Sequence, residues 1–280
     1  MRLTVRMVSP TAGLDELLMI ARDTALAAGA LALQRRHEGV EVADTKSTPI
    51  DIVTRADRET EQLIRSLLAD ARPNDGFLGE ESGAELGTSG LTWIVDPIDG
   101  TVNYLYGFPA WAVSIAVVEG DPEPETWTAQ AGAVVNPPTS EIFTAARGGG
   151  AWQGDRRIHA NSGVELDRAL VGTGFGYSIP EREPQIALVG EVLRRARDVR
   201  RMGAAALDLC SVANGRLDAY YERGLKHWDM AAGALIAQEA GALVTGLNGT
   251  AGGNDYLVAA NPGLAHELLD LIRTTGAPDS

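Results

Sequence analysis

The chain has 280 residues, with 24 Lys and Arg against 38 Asp and Glu, so its formal net charge is −14. This length allows one large domain or two modest ones, and 45% apolar with 22% charged residues is typical of a globular protein. The negative charge argues against a general nucleic-acid or anionic-membrane surface, because binding to phosphate backbones relies on Lys and Arg. We therefore expect any phosphate to be bound locally, with the help of a cation.

Cysteine content and hydropathy indicate in which cellular compartment the protein is expected. The single cysteine, Cys210, leaves no partner for an intramolecular disulfide, which fits a reducing cytoplasm. The first ten residues lack the continuous apolar stretch of an export signal. The longest uncharged stretch, 100–118, contains Asn, Gly and Pro and is predicted to be a loop followed by a buried strand. We expect a cytoplasmic protein without a membrane segment.

Two helices are predicted in the first part of the chain. Apolar residues at helical spacing predict the first over 14–37. A short strand at 40–42 and a turn at 46–50 are expected to follow. Thr54 is predicted to cap the second helix, and Asp57, three residues later, could complete the capping pair.

Strands dominate after the glycine-rich acidic segment 75–90, and helices return beyond about residue 160. Strands are predicted at 93–95, 113–119, 128–135 and 141–145. Mixed strands and helices are predicted at 169–174, 184–197, 204–214, 217–221, 229–240 and 256–259, and a last helix is expected to begin with Asn261 as N-cap and Pro262 behind it. This change predicts one compact α/β unit with two halves, 1–160 and 161–280, and a cleft between them.

Acidic residues lie beside turn signals at three places: 79–82, 96–101 and 227–233. In the second place, a strand is predicted to end at Asp96, Pro97 to force a turn, and Asp99 to follow. Two carboxylates at a strand end suit an oxygen-seeking cation such as Mg²⁺. Main-chain N–H groups after a glycine suit an anion if a helix begins there. The pattern therefore favours a phosphate ester held against a metal ion.

Each of these pieces also has a purely structural interpretation. Asp and Gly are common in turns, so Asp-x-x-Asp-Gly alone fits an ordinary turn. Glu80 and Glu81 alone fit a solvated loop, Asp229 fits a helix N-cap, and Asp57 fits a capping pair.

Taken together and in this order, the segments resemble the inositol monophosphatase family of metal-dependent phosphatases. The matching pieces are 46–51 with Asp57, 79–81, 96–101, 203–206, 220–222 and 228–229. The likeness covers nearly the whole chain. It implies a layered αβαβα sandwich with an N-terminal α+β half, 1–160, and a C-terminal α/β half, 161–280. It also implies Mg²⁺-dependent hydrolysis of inositol monophosphate to inositol and phosphate by a metal-activated water. It also implies a homodimer and inhibition by lithium.

The resemblance implies metal-binding roles for five residues. Glu80, Asp96 and the main-chain carbonyl of Ile98 would hold a first Mg²⁺. Asp96, Asp99 and Asp229 would hold a second, and a third, weaker ion is expected near Glu80. Buried carboxylates in one cleft repel each other, so cations are needed to neutralise them.

Phosphate and water contacts follow from the same resemblance. Gly100 and Thr101 would bind the phosphate through their main-chain N–H groups. Thr101 and Asp57, with Glu80, would position and deprotonate the attacking water. No covalent enzyme intermediate is then needed.

The resemblance implies the substrate less specifically than it implies the metal ligands. Asp99, Ala205 and Glu222 match the positions that contact the inositol hydroxyls, and Ala204 stands where family members often carry Ser or Thr. Glu222 favours a polyol, because a carboxylate can accept hydrogen bonds from neighbouring hydroxyls. Fructose 1,6-bisphosphate, histidinol phosphate and 3′-phosphoadenosine 5′-phosphate remain alternative substrates, and a non-catalytic protein-binding role remains an alternative function.

A phosphatase of the haloacid dehalogenase type is disfavoured. Its nucleophile and acid lie two residues apart near the first strand, whereas Asp96 and Asp99 lie three apart and mid-chain. Among the other reactive residue types, Cys210 is predicted to be core and His227 a satisfied or exposed histidine rather than a general acid. The arginine-rich run 194–201 is predicted to be a solvated helix face, with a phosphate-steering rim or a subunit contact as alternatives.

Overall fold

The computed structural model describes residues 10–40, 42–45, 52–253 and 255–275. Within these ranges the chain forms seven α-helices, α1 (Pro10–Glu38), α2 (Arg55–Ala71), α3 (Thr101–Tyr106), α4 (Ile179–Arg195), α5 (Ala205–Ala213), α6 (His227–Glu239) and α7 (Pro262–Thr275). The strands up to residue 160 are β1 (Val42–Thr45), β2 (Ile52–Thr54), β3 (Gly76–Gly79), β4 (Gly83–Glu85), β5 (Leu91–Asp99), β6 (Ala112–Glu119), β7 (Thr128–Asn136), β8 (Glu141–Ala146), β9 (Gly150–Gln153) and β10 (Arg156–Ile158). Those that follow are β11 (Leu170–Thr173), β12 (Asp198–Arg200), β13 (Ala219–Glu222), β14 (Leu243–Thr245) and β15 (Leu257–Ala260).

The strands form two main sheets. The first has eight strands in the order β10-β9-β8-β7-β6-β5-β3-β4, and β3 and β5 are its one parallel pair among the described residues. The second has five strands in the order β12-β11-β13-β15-β14, with β11 parallel to both of its neighbours. Strands β1 and β2 pair separately as a small antiparallel ribbon.

Helices and sheets alternate in five layers. Helices α1 and α2 cover one face of the eight-stranded sheet, where Ala21, Ala25 and Ala28 of α1 share a buried apolar cluster with Trp93 and Val113. Helices α5 and α6 fill the space between the two sheets. Helices α4 and α7 cover the outer face of the five-stranded sheet. This arrangement confirms the predicted layered αβαβα sandwich.

Most elements of the N-terminal part lie where the sequence predicts them. Helix α1 confirms the helix expected over 14–37, and Thr54 and Asp57 form the predicted capping box of α2. The strand expected at 40–42 is wrong in its bounds, because β1 begins at Val42. The turn expected at 46–50 lies outside the described residues.

Two helix starts in the C-terminal part differ from the prediction. Helix α4 begins at Ile179 rather than at residue 184, because Ser178 and Glu181 form a capping box and Pro184 lies inside the helix. Asp229 is not an N-cap: α6 begins at His227, and Asp229 is its third residue. The last helix begins as predicted, with Asn261 Oδ1 accepting a hydrogen bond of 3.2 Å from the Leu264 N–H. Among the described residues, none of the helices has the length and hydropathy of a membrane span.

Candidate active site

The start of helix α2 places Asp57. Its Oδ2 accepts a hydrogen bond of 2.8 Å from the Thr54 N–H and a second from the Thr54 hydroxyl. In this capping box the carboxylate satisfies main-chain donors at the helix start, so its position is fixed by the fold. Asp57 is 1% exposed.

Thr101 begins α3 and lies beside Asp57. Its hydroxyl oxygen is 3.3 Å from Asp57 Oδ1 and 3.1 Å from the Ile98 carbonyl oxygen, so these two acceptors share its one proton. Gly100 precedes the helix with a φ of 89°, a left-handed conformation that favours glycine. A Cβ there would also lie 3.0 Å from the Gly203 carbonyl oxygen, so glycine lets this turn pack closely on the start of α5.

The strand β5 does not end at Asp96, as the sequence predicted, but continues to Asp99. The register with β6 is regular up to Asp96 opposite Ser114 and resumes at Asp99 opposite Ala112. Pro97, which has no N–H to donate to the sheet, lies within this irregularity. The Ile98 N–H instead donates to Asp96 Oδ1 at 3.0 Å. The irregular stretch therefore carries both Asp carboxylates on one strand end.

Asp99 joins the first sheet to helix α5. Its Oδ1 accepts from the Ala205 N–H at 3.2 Å and its Oδ2 from the Ala206 N–H at 2.8 Å. Ala204, at the N-cap position, has no polar side chain to satisfy these donors. A carboxylate from another strand thus caps the helix, and the positive end of the helix dipole stabilises its charge.

Glu80 and Asp229 come from two further elements. Glu80 follows β3 directly, and its main-chain N–H donates to the Val95 carbonyl oxygen of the neighbouring strand at 3.2 Å. Asp229 lies in the first turn of α6, where its Oδ2 accepts from the Lys226 N–H at 2.6 Å. The acidic side chains of the site therefore converge from strand ends of the first sheet and from the starts of two helices.

The carboxyl groups of the site crowd together: Asp57, Asp96 and Asp99 are buried, and Glu80, Glu222 and Asp229 are half-buried. Burial raises the pKa of Asp96 well above its usual value, and the negative charges of Glu80, Asp99 and Asp229 raise it further. Burial likewise raises the pKa of Asp229, with Glu80 and Asp99 adding to the effect. The pKa of Asp99 rises to about 7 through burial, partly opposed by its helix-capping hydrogen bonds. That of Asp57 also rises to about 7, again mainly through burial.

This donor set fits a hard divalent cation. Carboxylate and carbonyl oxygens are the ligands that Mg²⁺ prefers, and the site offers both, including the Ile98 carbonyl. The carboxyl groups repel each other, since their charges raise one another's pKa, and a bound cation would remove this repulsion. In the described part of the chain, no three His, Cys, Asp or Glu side chains are gathered closely enough to form a finished coordination shell. The fit therefore rests on the chemistry and charge of the donors.

Glu222 lies at the end of β13, on the second sheet. It accepts a hydrogen bond from the Tyr220 hydroxyl. Burial raises the pKa of its carboxyl, while the Tyr220 hydrogen bond and the Arg201 guanidinium lower it. Its negative charge also raises the pKa of Asp99, so both sheets contribute to one acidic site.

All ten site residues predicted from the sequence thus lie in one connected group. They are Asp57, Glu80, Asp96, Ile98, Asp99, Gly100, Thr101, Ala205, Glu222 and Asp229. The segment 46–51, which also carried the resemblance, lies outside the described residues, apart from the start of β2 that follows it. Cys210 is fully buried, as predicted, and His227 is half-buried with its Nε2 3.5 Å from Glu123 Oε2.

Sequence analysis missed three residues that shape this site. Gly174 leaves the space that Glu222 fills, since a Cβ at Gly174 would overlap the Glu222 carboxylate. Asp208 on α5 is 1% exposed, and burial together with the charges of Glu222 and Asp99 raises its pKa. Arg201 is exposed, as predicted, but it follows β12 rather than lying on a helix, and its charge lowers the pKa of Asp208 and Glu222. Only the helical spacing of Asp208 after Ala205 hinted at such a role.

The chain is similar to known proteins over most of its length. The family model described as "Inositol monophosphatase family" matches residues 13–275. The inositol-1-monophosphatase of Mycobacterium bovis is 49% identical over 247 residues, which cover 85% of this chain and 83% of the relative. The Nus factor SuhB of Pasteurella multocida is 38% identical, with 93% of this chain and 97% of the relative covered.

Solved structures give the same result. The structure of Mycobacterium tuberculosis SuhB matches with a TM-score of 0.79 and 44% identity, and the match covers 95% of this chain and 98% of the other. Fold, sequence and family model thus agree over nearly the whole chain. The chain belongs to the inositol monophosphatase family.

Proposed function

We propose that the protein is a Mg²⁺-dependent phosphomonoesterase that hydrolyses inositol monophosphate to inositol and phosphate. The observation that carries the proposal is the collection of Glu80, Asp96, Asp99 and Asp229 from separate parts of the chain into one acidic group. Such a group opposes folding unless it binds cations, so its presence favours a catalytic centre over a structural one.

Glu80, Asp96 and the Ile98 carbonyl would hold a first Mg²⁺, and Asp96, Asp99 and Asp229 a second. A third, weaker ion is expected near Glu80. The Ile98 carbonyl oxygen has two lone pairs, so its hydrogen bond from Thr101 leaves one for a cation. When bound, Mg²⁺ supplies Lewis-acid activation of water and neutralises the charge of the phosphate.

The residues of the chain would orient the phosphate and accept the proton of the attacking water. Gly100 and Thr101, at the start of α3, would donate main-chain N–H groups to phosphate oxygens. The Thr101 hydroxyl, aligned between Asp57 Oδ1 and the Ile98 carbonyl, would hold the water, and Asp57, assisted by Glu80, would take up its proton. The leaving inositol oxygen would gain a proton from a second water molecule. A group with a pKa near 7 suits proton transfer at neutral pH.

Asp99, Ala205 and Glu222 would contact the hydroxyls of the substrate. Glu222 lies on the second sheet and Asp99 on the first, and the Ala205 N–H donates a hydrogen bond to Asp99. We therefore also propose that the halves 1–160 and 161–280 act as one catalytic unit, with the substrate between them.

Replacing Gly174 by alanine tests the role of Glu222. The added methyl group overlaps the Glu222 carboxylate, so the side chain must move. We expect KM for inositol 1-phosphate to rise about tenfold, the cost of roughly one lost hydrogen bond to a charged group, while kcat changes little. Steady-state kinetics measure this. The control is Gly190→Ala, because a Cβ there meets nothing within 4 Å. An unchanged KM in Gly174→Ala would contradict the assignment of Glu222.

Phosphate release from a panel of esters tests the whole proposal. The panel contains inositol 1-phosphate, fructose 1,6-bisphosphate, histidinol phosphate and 3′-phosphoadenosine 5′-phosphate, each with Mg²⁺, with EDTA and with added lithium. We expect hydrolysis of inositol 1-phosphate above the others, loss of activity in EDTA, and inhibition by lithium. Preference for another ester would change the substrate assignment and leave the proposed mechanism unchanged. Activity in EDTA would contradict the metal-dependent mechanism.

We also propose that the protein is a homodimer. Three large apolar side chains lie exposed near the start of α5: Tyr106 is 73%, Phe108 63% and Met202 46% exposed. They are neighbours, because Asn103 Nδ2 donates to the Met202 carbonyl oxygen and the Phe108 N–H donates to the Asn103 carbonyl oxygen. We expect a dimer mass by light scattering and a monomer for Phe108→Glu; a monomeric wild-type protein would contradict the proposal.

A second candidate function is non-catalytic binding to a protein partner. It is favoured by the relatives named Nus factor SuhB, of which the Pasteurella multocida protein is 38% identical to this chain. The two functions are separable, because loss of a metal ligand removes hydrolysis and leaves a binding surface in place.

A further inference from the structure

We propose that Glu61 is a positioning residue that holds the Glu80-bearing segment against helix α2. The proposal rests on the proposed function, in which Glu80 is a metal ligand. Glu61 lies one helical turn after Asp57, so the two side chains are on the same face of α2. Glu61 is 3% exposed, which is rare for a glutamate and calls for a specific partner.

The partner of Glu61 is the main chain next to Glu80. Glu61 Oε2 accepts a hydrogen bond of 2.8 Å from the Glu81 N–H. On the other side, the Glu80 N–H donates to the Val95 carbonyl oxygen at 3.2 Å. The two peptide groups around Glu80 are thus held by different elements, one by the sheet and one by α2. Glu61 therefore adds an anchor on the side of Glu80 that the sheet does not hold.

Gly79 makes this contact possible. A Cβ at Gly79 would lie 2.6 Å from Glu61 Cδ, far inside van der Waals contact. The absence of a side chain at Gly79 therefore lets the Glu61 carboxylate reach the Glu81 N–H. This use of glycine is typical of a position where another group must approach the backbone closely.

Arg65, one further turn along α2, holds the rest of the same segment. Its guanidinium donates to Ser82 Oγ at 2.8 Å and pairs with Glu85 of β4. It also lies over the Phe77 ring, 4.3 Å from the centroid. Successive turns of α2 therefore contact successive residues of the segment, and Glu61 is on the turn that contacts the peptide after Glu80.

A residue that orients a metal ligand affects metal affinity more than stability. Removing such partners typically weakens metal binding by about 10- to 100-fold. Glutamine can still accept the hydrogen bond from the Glu81 N–H through its amide oxygen, whereas leucine cannot. The pair Glu61→Gln and Glu61→Leu therefore separates hydrogen bonding from simple filling of space.

The test is calorimetric binding of Mn²⁺, as a probe for the Mg²⁺ sites, to the full chain after removal of metals, with thermal melting of each variant. We expect Glu61→Leu to raise the Kd for Mn²⁺ at least about tenfold and Glu61→Gln to stay close to wild type. The matched control is Glu59→Leu on the same helix, since Glu59 pairs with Arg35 and Arg55 away from the site. It removes the same charge and should leave the Kd unchanged.

Three results would overturn the inference. The first is wild-type Mn²⁺ affinity in folded Glu61→Leu, and the second is equal weakening by Glu61→Gln and Glu61→Leu. If Glu61→Leu does not fold, Gly79→Ala decides, because its methyl group overlaps the Glu61 carboxylate, as well as the Phe77 ring, and displaces the carboxylate without changing charge. Unchanged binding in Gly79→Ala is the third result. A wild-type protein that binds no Mn²⁺ would instead overturn the proposed function, and the inference with it.

Discussion

Replacing Asp96 by asparagine is expected to abolish hydrolysis, with kcat reduced about a hundredfold or more. Asp96 is the residue shared by both proposed cations, and it is the carboxylate whose pKa is raised by Glu80, Asp99 and Asp229 together. Asparagine keeps the size of the side chain and one acceptor oxygen, but it removes the charge that would bind Mg²⁺. Steady-state phosphate release at saturating Mg²⁺ measures the effect.

A matched control separates this result from a general loss of charge. Asp270 on α7 is exposed and pairs only with Arg273 among the described residues, so Asp270→Asn makes the same chemical change far from the site. We expect it to keep wild-type turnover. Near-normal turnover of Asp96→Asn would contradict the ligand assignment. Retained partner binding by inactive Asp96→Asn would support the second candidate function alongside the first.

Replacing Asp57 by asparagine is expected to lower kcat by about 10²- to 10⁴-fold, the usual contribution of a general base. Asp57 Oδ1 faces the Thr101 hydroxyl, while Oδ2 is used in the capping box. Asparagine can still accept the hydrogen bond from the Thr54 N–H in the capping box, so the melting temperature should fall little. The loss should therefore be in proton transfer, and it should appear in kcat rather than KM.

A double-mutant cycle with Thr101→Ala sharpens this test. If Asp57 acts through the water that Thr101 holds, the double variant should be about as slow as the slower single variant. Asp70→Asn, an exposed change on the same helix, is the control and should leave kcat unchanged. Fully additive effects of Asp57 and Thr101 would contradict their action as a pair.

Periodicity and capping chemistry were enough to predict most of the helices and strands, whereas their layered αβαβα arrangement was predicted from the family resemblance. The capping box of Thr54 and Asp57 and the start of the last helix at Asn261 follow local rules, and the structure has both. The predictions failed where contacts between residues distant in sequence determine where a helix or strand begins or ends. Asp229 fits an N-cap in sequence, but α6 begins two residues earlier, and β5 passes Pro97 because pairing with β6 resumes beyond it.

The site was predicted through a family resemblance, since no local rule brings Asp99 to α5. The hydrogen bond from the Ala206 N–H to Asp99 joins residues 107 positions apart. Supporting residues were missed for the same reason. Glu61 resembles any other helix-surface glutamate until the Glu81 N–H is known to face it. Gly174 has no signal beyond a glycine after a strand.

The buried carboxylates of the site also have a consequence for stability, because without cations they oppose folding. The pKa of Asp99 in the folded protein is about 7, above its ordinary value of 3.8, so the folded state binds more protons than the unfolded state between these two values. The free energy of unfolding of the metal-free protein should therefore fall as the pH rises through this window. Asp96→Asn, although inactive, should melt at a higher temperature than wild type in EDTA. In the proposed mechanism, the acidic groups that serve catalysis would lower the thermal stability of the metal-free protein, and Mg²⁺ would be both cofactor and stabilising ligand.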